Sequence, residues 1–266
     1  MNDPAPLTAN LPTVAEELAR ELAAAGFTAD SIAAHLGPEA TEALYRREPG
    51  VVLDACGDDS RLAALIRFFL LRRPATAEQL ADMLNPRLAL SLLDESVVVH
   101  CDDSSLVRPA LDIRPHVIAG TPRLILSDLD ASMTDHVPGR DHVLGVGSAS
   151  LSLLSATPCT PVDSVLDLGT GSGIQALAQA DAATRVVATD VHARALQFAR
   201  LRELVGHRDH VGGLAVRVQR EDRLEDDLVL GDVEIGAAKR LDDVGDGILR
   251  QHHAAERALL RDEVVR

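Results

Sequence analysis

The sequence predicts an α/β protein, with a helical N-terminal part followed by a strand–turn–helix–strand unit. Three observations carry this. Apolar residues recur at helical spacing from Leu11 to Leu93. A short apolar run, Val165-Leu166 with Leu168, follows Pro161 and enters a turn rich in glycine, Gly169 to Gly173. That is the pattern of a buried strand ending in a tight turn. An Ala/Leu/Gln-rich helix, Ile174 to Ala180, then leads to a second strand, Arg185 to Thr189, which closes on Asp190.

In chain order, Leu11 to Ala25 reads as an amphipathic helix with Val14, Leu18 and Leu22 on one face, ended by Gly26. Thr28 to Leu36 is a second helix, closed by Gly37-Pro38. Glu39 to Arg47 is a third, stopped by Glu48-Pro49-Gly50. Arg61 to Leu71 is strongly apolar and holds Phe68 and Phe69, so it predicts a buried helix at the centre of the N-terminal core. Thr76 to Met83 carries a capping box, Thr76 with Gln79. Asn85-Pro86 opens another helix through Leu93. Ser96 to Cys101 and Leu106 to Arg108 are expected to pair across Asp102-Asp103-Ser104. Helices followed by such a two-stranded wing resemble a winged-helix module. The helix just before that wing, the third of such a module, reads PRLALSLLDES, with one Arg and two acids, which is poor equipment for a DNA groove. Pro109 to Asp128 reads as strands or a linker.

The chain has 266 residues, enough for two small domains with their own cores. Domains are expected at 1–115 and 116–206, with an atypical tail at 207–266. A net charge of −15 and 2% aromatic residues argue against a general grip on nucleic acid, so DNA is an unlikely partner. No run of 18 apolar residues predicts a membrane span, and the start lacks a signal-peptide pattern, so a cytoplasmic protein is expected. Cys56, Cys101 and Cys159 are isolated, as reduced thiols would be. His100, His116, His136 and His142 have no ligand spacing and read as surface or packing residues; no metal site is expected.

The stretch Ser164 to Asp190 speaks of chemistry. Three glycines at alternate positions let a ligand approach the backbone closely. The free N–H groups of the following helix favour a polar or negative ligand group. A dinucleotide fingerprint would need a small residue where Ile174 stands. Asp167, two residues before the first glycine, would repel a pyrophosphate but could face an ammonium group. The string VLDLGTGSG, Val165 to Gly173, resembles motif I of the class I S-adenosylmethionine-dependent methyltransferases. That resemblance implies a Rossmann-like core and S-adenosyl-L-methionine as cofactor. It implies that Gly169, Thr170, Gly171 and Gly173 line the methionine end and that Asp167 stands near the amino group. Asp190, with Val191 behind it, would meet the ribose hydroxyls. The turn Gly145-Val146-Gly147-Ser148 before a short apolar helix, Ala149 to Leu154, looks like the segment that several of these enzymes fold over the cofactor. The order of parts resembles the small-domain branch that includes the glutamine-N5 release-factor methyltransferases, and so implies N-methylation of a protein or RNA.

The resemblance then stops. After the helix Ala193 to Leu204, that branch should show Asn-Pro-Pro-Tyr or Asp-Pro-Pro-Tyr, which positions the acceptor nitrogen. Neither occurs, and no catalytic residue can be named. From Ala199 to Arg266 there is no Ser, Thr, Asn, Pro, Cys, Met, Phe, Tyr or Trp. Apart from Ile235, Lys239 and Ile248, every residue there can be encoded by a codon beginning with G or C. A change of reading frame shortly after Phe198 in a GC-rich gene would give this composition. The competing reading is a diverged C-terminal half, with Leu214 to Val218 as third strand and Asp222 as the adenine-side acid. Three functions stay open: an active methyltransferase, a cofactor-binding remnant, or a winged-helix interaction module.

Overall fold

The computed structural model describes residues 10–103, 105–130, 138–205 and 214–218. Helix α1 (Leu11–Ala24) buries Leu11, Val14, Ala15, Leu18 and Leu22 along one stripe. Helix α2 (Ala29–Tyr45) is capped by the Thr28 hydroxyl and kinks at Gly37, whose φ of 75° takes it out of helical geometry. The two helices expected on either side of Gly37 are thus one bent element. Helix α3 (Pro49–Ala55) starts where a stop was expected, because Pro49 occupies the first turn and needs no N–H partner there. Helix α4 (Arg61–Leu65) continues as a π-helical turn, Ile66–Leu70. That turn buries Ile66, Phe68, Phe69 and Leu70. Phe69 meets Phe68 and Phe27 edge-on, with ring centroids 5.0 and 6.0 Å apart.

Strand β1 (Ala75–Thr76) precedes α5 (Ala77–Met83), where both halves of the Thr76–Gln79 capping box form. Helix α6 (Pro86–Asp94) is capped by Asn85 Oδ1, which accepts from Leu88 N at 2.8 Å. Strands β2 (Val98–His100) and β3 (Leu106–Pro109) pair antiparallel as expected, and β1 adds to the other edge of β3. Strands β4 (Asp112–Ile118) and β5 (Thr121–Ser127) form an antiparallel hairpin in continuous register from Asp112↔Ser127 to Ile118↔Thr121. The domain boundary expected at 115/116 falls within β4, which is paired with β5 along its whole length.

Helix α7 (Ser148–Ala156) buries none of its residues. Strand β6 (Val162–Leu168), helix α8 (Ile174–Gln179), strand β7 (Ala183–Asp190), helix α9 (Ala193–Val205) and strand β8 (Leu214–Val218) follow. The three strands form a parallel sheet in the order β6-β7-β8. Among the described residues no strand pairs the second edge of β6, and Val162, Leu166 and Leu168 are exposed.

Helix α9 joins the two parts. Leu196 packs with Ala176, Val186 and Ala188 over the parallel sheet. Ala195, Phe198 and Leu201 belong to the large N-terminal cluster with Leu11, Leu18, Phe69 and Leu126. The hairpin does the same from the other side: Ile118 and Ile125 pack on Ile174 and Leu177 of α8, while Ile113 and Leu126 join the N-terminal cluster. These contacts link the N-terminal cluster to the clusters around the parallel sheet through one helix and one hairpin. Just past Phe198, Ala199 and Leu201 are 1% and 3% exposed.

Candidate functional site

Parallel strands place the loops after their C-terminal ends side by side, and here two such loops meet. The first is the Gly169–Gly173 turn after β6. Its glycines take φ values of 71°, 53° and 79°, a left-handed path that side chains with a Cβ rarely follow. The second is Asp190 to His192 after β7. Asp190 ties them together, with Oδ2 accepting from Gly171 N at 3.0 Å and Oδ1 from His192 N at 2.9 Å. Thr170 N donates to Thr189 O at 2.9 Å, fixing the turn to the neighbouring strand.

A third segment, Asp141 to Gly145, closes over these loops and runs on into α7. Together they enclose a cavity of about 400 Å³. Gly169, Thr170, Gly171 and Asp190 line it, so four of the seven residues singled out from sequence converge there. Gly173 sits behind them as the residue preceding α8. Val191 is 71% exposed and is not part of the wall. Asp167 also lies outside the wall. Its Oδ2 accepts from Thr170 Oγ1 at 2.7 Å and from Ala176 N at 3.1 Å, so it holds the turn from beneath. The reason is the strand's alternation, which aims this carboxylate at the first turn of α8.

Burial pushes the Asp167 carboxyl above its usual range, and the nearby Asp190 charge adds to this, against the two hydrogen bonds. The sign follows. Below the ordinary aspartate value, about 4, both folded and unfolded chains carry the protonated group and nothing is lost. As pH rises through the raised folded value, ionising the group in the folded chain costs stability. The thermal midpoint of Asp167→Asn, relative to the unsubstituted chain, is therefore expected to rise as pH increases above about pH 4 and to level off above the raised folded value. Paired melting curves check it; a difference that is flat or falls with pH contradicts this environment for Asp167.

The cavity also recruits residues that sequence reasoning passed over. Asp141, His142, Ser150, Gln175 and His192 line it. His142 was expected at the surface or in packing. Its place beside the Gly145 turn was the available signal. Gly145 is seated so tightly that a Cβ would lie 2.7 Å from Ser127 Oγ and 3.4 Å from Asp112 Oδ2. Ser127 is 1% exposed and its hydroxyl donates to Asp128 O at 3.0 Å, so it has little room to yield. Gly145→Ala is expected to cost about 1–3 kcal/mol. Adding Ser127→Ala should recover part of that loss in a double-variant cycle followed by urea unfolding.

Among the described residues no group of three or more His, Cys, Asp or Glu is placed to hold a metal, and no helix is long and apolar enough to cross a membrane. Asp222 and His136 lie outside the described residues. The Asn85-Pro86 pair is remote from the cavity in role, being the cap of α6.

A family model described as Ribosomal protein L11 methyltransferase (PrmA) matches residues 146–229. Another, described as Domain of unknown function (DUF7059), matches residues 24–110. No curated protein matches the chain. The first match covers the Gly145–Ser148 turn from Val146 onward, both loops of the cavity and strand β8, and it continues past Phe198. The match over this mixed helix and sheet region supports an S-adenosylmethionine-dependent methyltransferase.

Proposed function

We propose that the cavity binds S-adenosyl-L-methionine and that the chain transfers its methyl group to a nitrogen of a protein or RNA substrate. The observation that carries this is the convergence of the Gly169–Gly171 turn, Asp190 and the Asp141–Gly145 segment on one cavity at the ends of parallel strands. Its volume of about 400 Å³ lies in the range of small-molecule sites. A Cβ built on Gly169 would meet nothing within 4 Å, so the turn's outer face is open to a ligand. Each Asp190 oxygen accepts one backbone N–H, which leaves a lone pair on each for a ribose hydroxyl. Asp141 and Asp190 give the wall a negative charge that suits a cationic ligand. Asp167 adds charge from beneath and, through Thr170, holds the turn in position. Gly173 sets the entry into α8, and Val191 carries the chain from Asp190 towards α9.

When bound, the cofactor supplies an electrophilic methyl on a sulfonium. The residues here orient it; in-line displacement by an acceptor nitrogen then depends mainly on positioning. No base is assigned. In a doubly wound sheet of order 3-2-1-4-5-6 the first strand is central. Here β6 corresponds to that strand, and its edge unpaired among the described residues is where the half carrying the acceptor-binding strand would belong. We read the core as Rossmann-like on this basis, and the N-terminal part, with its β1-β3-β2 sheet, as winged-helix-like. Its helix α6 exposes Arg87, Leu90 and Asp94, a face that favours packing over DNA.

Calorimetric titration of the full chain with S-adenosylhomocysteine tests the binding reading. One saturable site with a matching rise in thermal midpoint is expected. No heat and no shift would overturn it. Methyl transfer to ribosomal protein, release factor or RNA then separates an enzyme from a binding remnant.

A further inference from the structure

The cavity has two walls that come from distant parts of the chain. One is the Asp141–Gly145 segment with α7. The other is the Gly-rich turn with the start of α9. They are tied at two points. At the first, Arg194 Nε donates to Asp128 Oδ2 at 2.8 Å and to Oδ1 at 3.0 Å, and Arg194 Nη2 also reaches Oδ1. The pair is buried, with Asp128 5% and Arg194 7% exposed, and the guanidinium lies 5.2 Å from the Phe198 ring centre. Asp128 in turn grips the other wall: its Oδ2 accepts from Val143 N at 2.9 Å and its N donates to Val143 O at 3.0 Å. At the second point, Gln175 Nε2 of α8 donates to Ser150 O of α7 at 3.0 Å.

A buried ion pair is a poor way to gain stability, since desolvation offsets most of the attraction. What it does supply is fixed geometry, because two-pronged guanidinium–carboxylate contacts tolerate little displacement. Arg194 lies four residues after Asp190, and Val143 lies between His142 and Leu144 of the opposing wall. We propose that Asp128 and Arg194 are positioning residues that set the width of the cavity, with Gln175 and Ser150 holding its far end. As a statement about ligand affinity this rests on the cofactor reading above; as a statement about wall mobility it does not.

The test pairs two measurements on three full-length chains: unsubstituted, Asp128→Asn with Arg194→Gln, and Gln175→Ala. The double variant leaves no lone buried charge, and Asp128→Asn keeps the shape of the carboxylate. Gln175→Ala removes the second tie without touching a charge, and so serves if the double variant fails to fold. Hydrogen exchange of residues 138–147 should be faster in the double variant, with exchange in β4 and β5 unchanged. Affinity for S-adenosylhomocysteine should fall roughly tenfold in each variant, the scale of one misplaced charge-assisted contact. A drop in thermal midpoint with exchange and affinity both unchanged would mark the ties as merely structural and overturn the proposal. If the unsubstituted chain takes up no S-adenosylhomocysteine, the cofactor reading falls, while the exchange comparison still decides the positioning role.

Discussion

Asp190→Ala is expected to weaken S-adenosylhomocysteine binding by about 100-fold while leaving the fold in place. The size is the lower end of what the two proposed charge-assisted hydrogen bonds to ribose would supply, each worth about 1.5–3 kcal/mol, with about 1.4 kcal/mol per factor of ten. Part of the loss is indirect. Without the carboxylate, Gly171 N and His192 N lose their acceptors, and the two loops it joins separate more easily. Asp190→Asn, which keeps one acceptor oxygen, should fall between the two. Calorimetry on the three chains checks the order. Equal affinity in all three would remove Asp190 from the ribose role and leave it as a loop tie alone.

The second large effect is on stability. Phe69→Ala is expected to cost about 3–5 kcal/mol, the usual range for emptying a large aromatic site in a core. Phe69 is 0% exposed and loses edge-on contacts with both Phe68 and Phe27. The π-helical turn that carries it fixes its backbone on one side, so collapse into the space is limited. Domains of this kind have about 5–15 kcal/mol in total, so the variant should sit near the edge of folding. A shift of the urea midpoint without a change in slope is the signature to look for. A loss under about 1 kcal/mol would mean that the cluster repacks around the gap.

The parts of the fold that could be read from sequence were those where one local interaction decides the outcome. The Thr76–Gln79 box and the Asn85 cap are local hydrogen bonds, and both form as the residue types required. The turn from Gly169 to Gly173 is local backbone geometry, and so is the arrival of Asp190 at the end of the next strand. Features set by distant packing were not legible. Strand β1 is two residues long and shows no period of its own; β3 creates it by pairing. Pro49 reads equally as a stop or as a first turn, and the cluster that buries Val52 chose the latter. Asp128 and Arg194 stand 66 residues apart, with nothing in either neighbourhood to announce the other. Asp167 stands within the VLDLGTGSG string, yet the strand's alternation turned its carboxylate under the turn and away from the cavity wall.

Helix α9, with Leu196 on the parallel sheet and Phe198 and Leu201 in the N-terminal cluster, has a consequence for how the molecule comes apart. A helix that completes two cores cannot lose one without loosening the other. Heating should give one cooperative transition in which helical and sheet signals vanish together. The same logic bears on dissection. Cut free at residue 116, the segment matched by the methyltransferase family would present Ala195, Phe198 and Leu201 to water along with half of a severed hairpin. The N-terminal helices thus cover apolar surface of the family-matched segment, and that segment is not expected to fold alone.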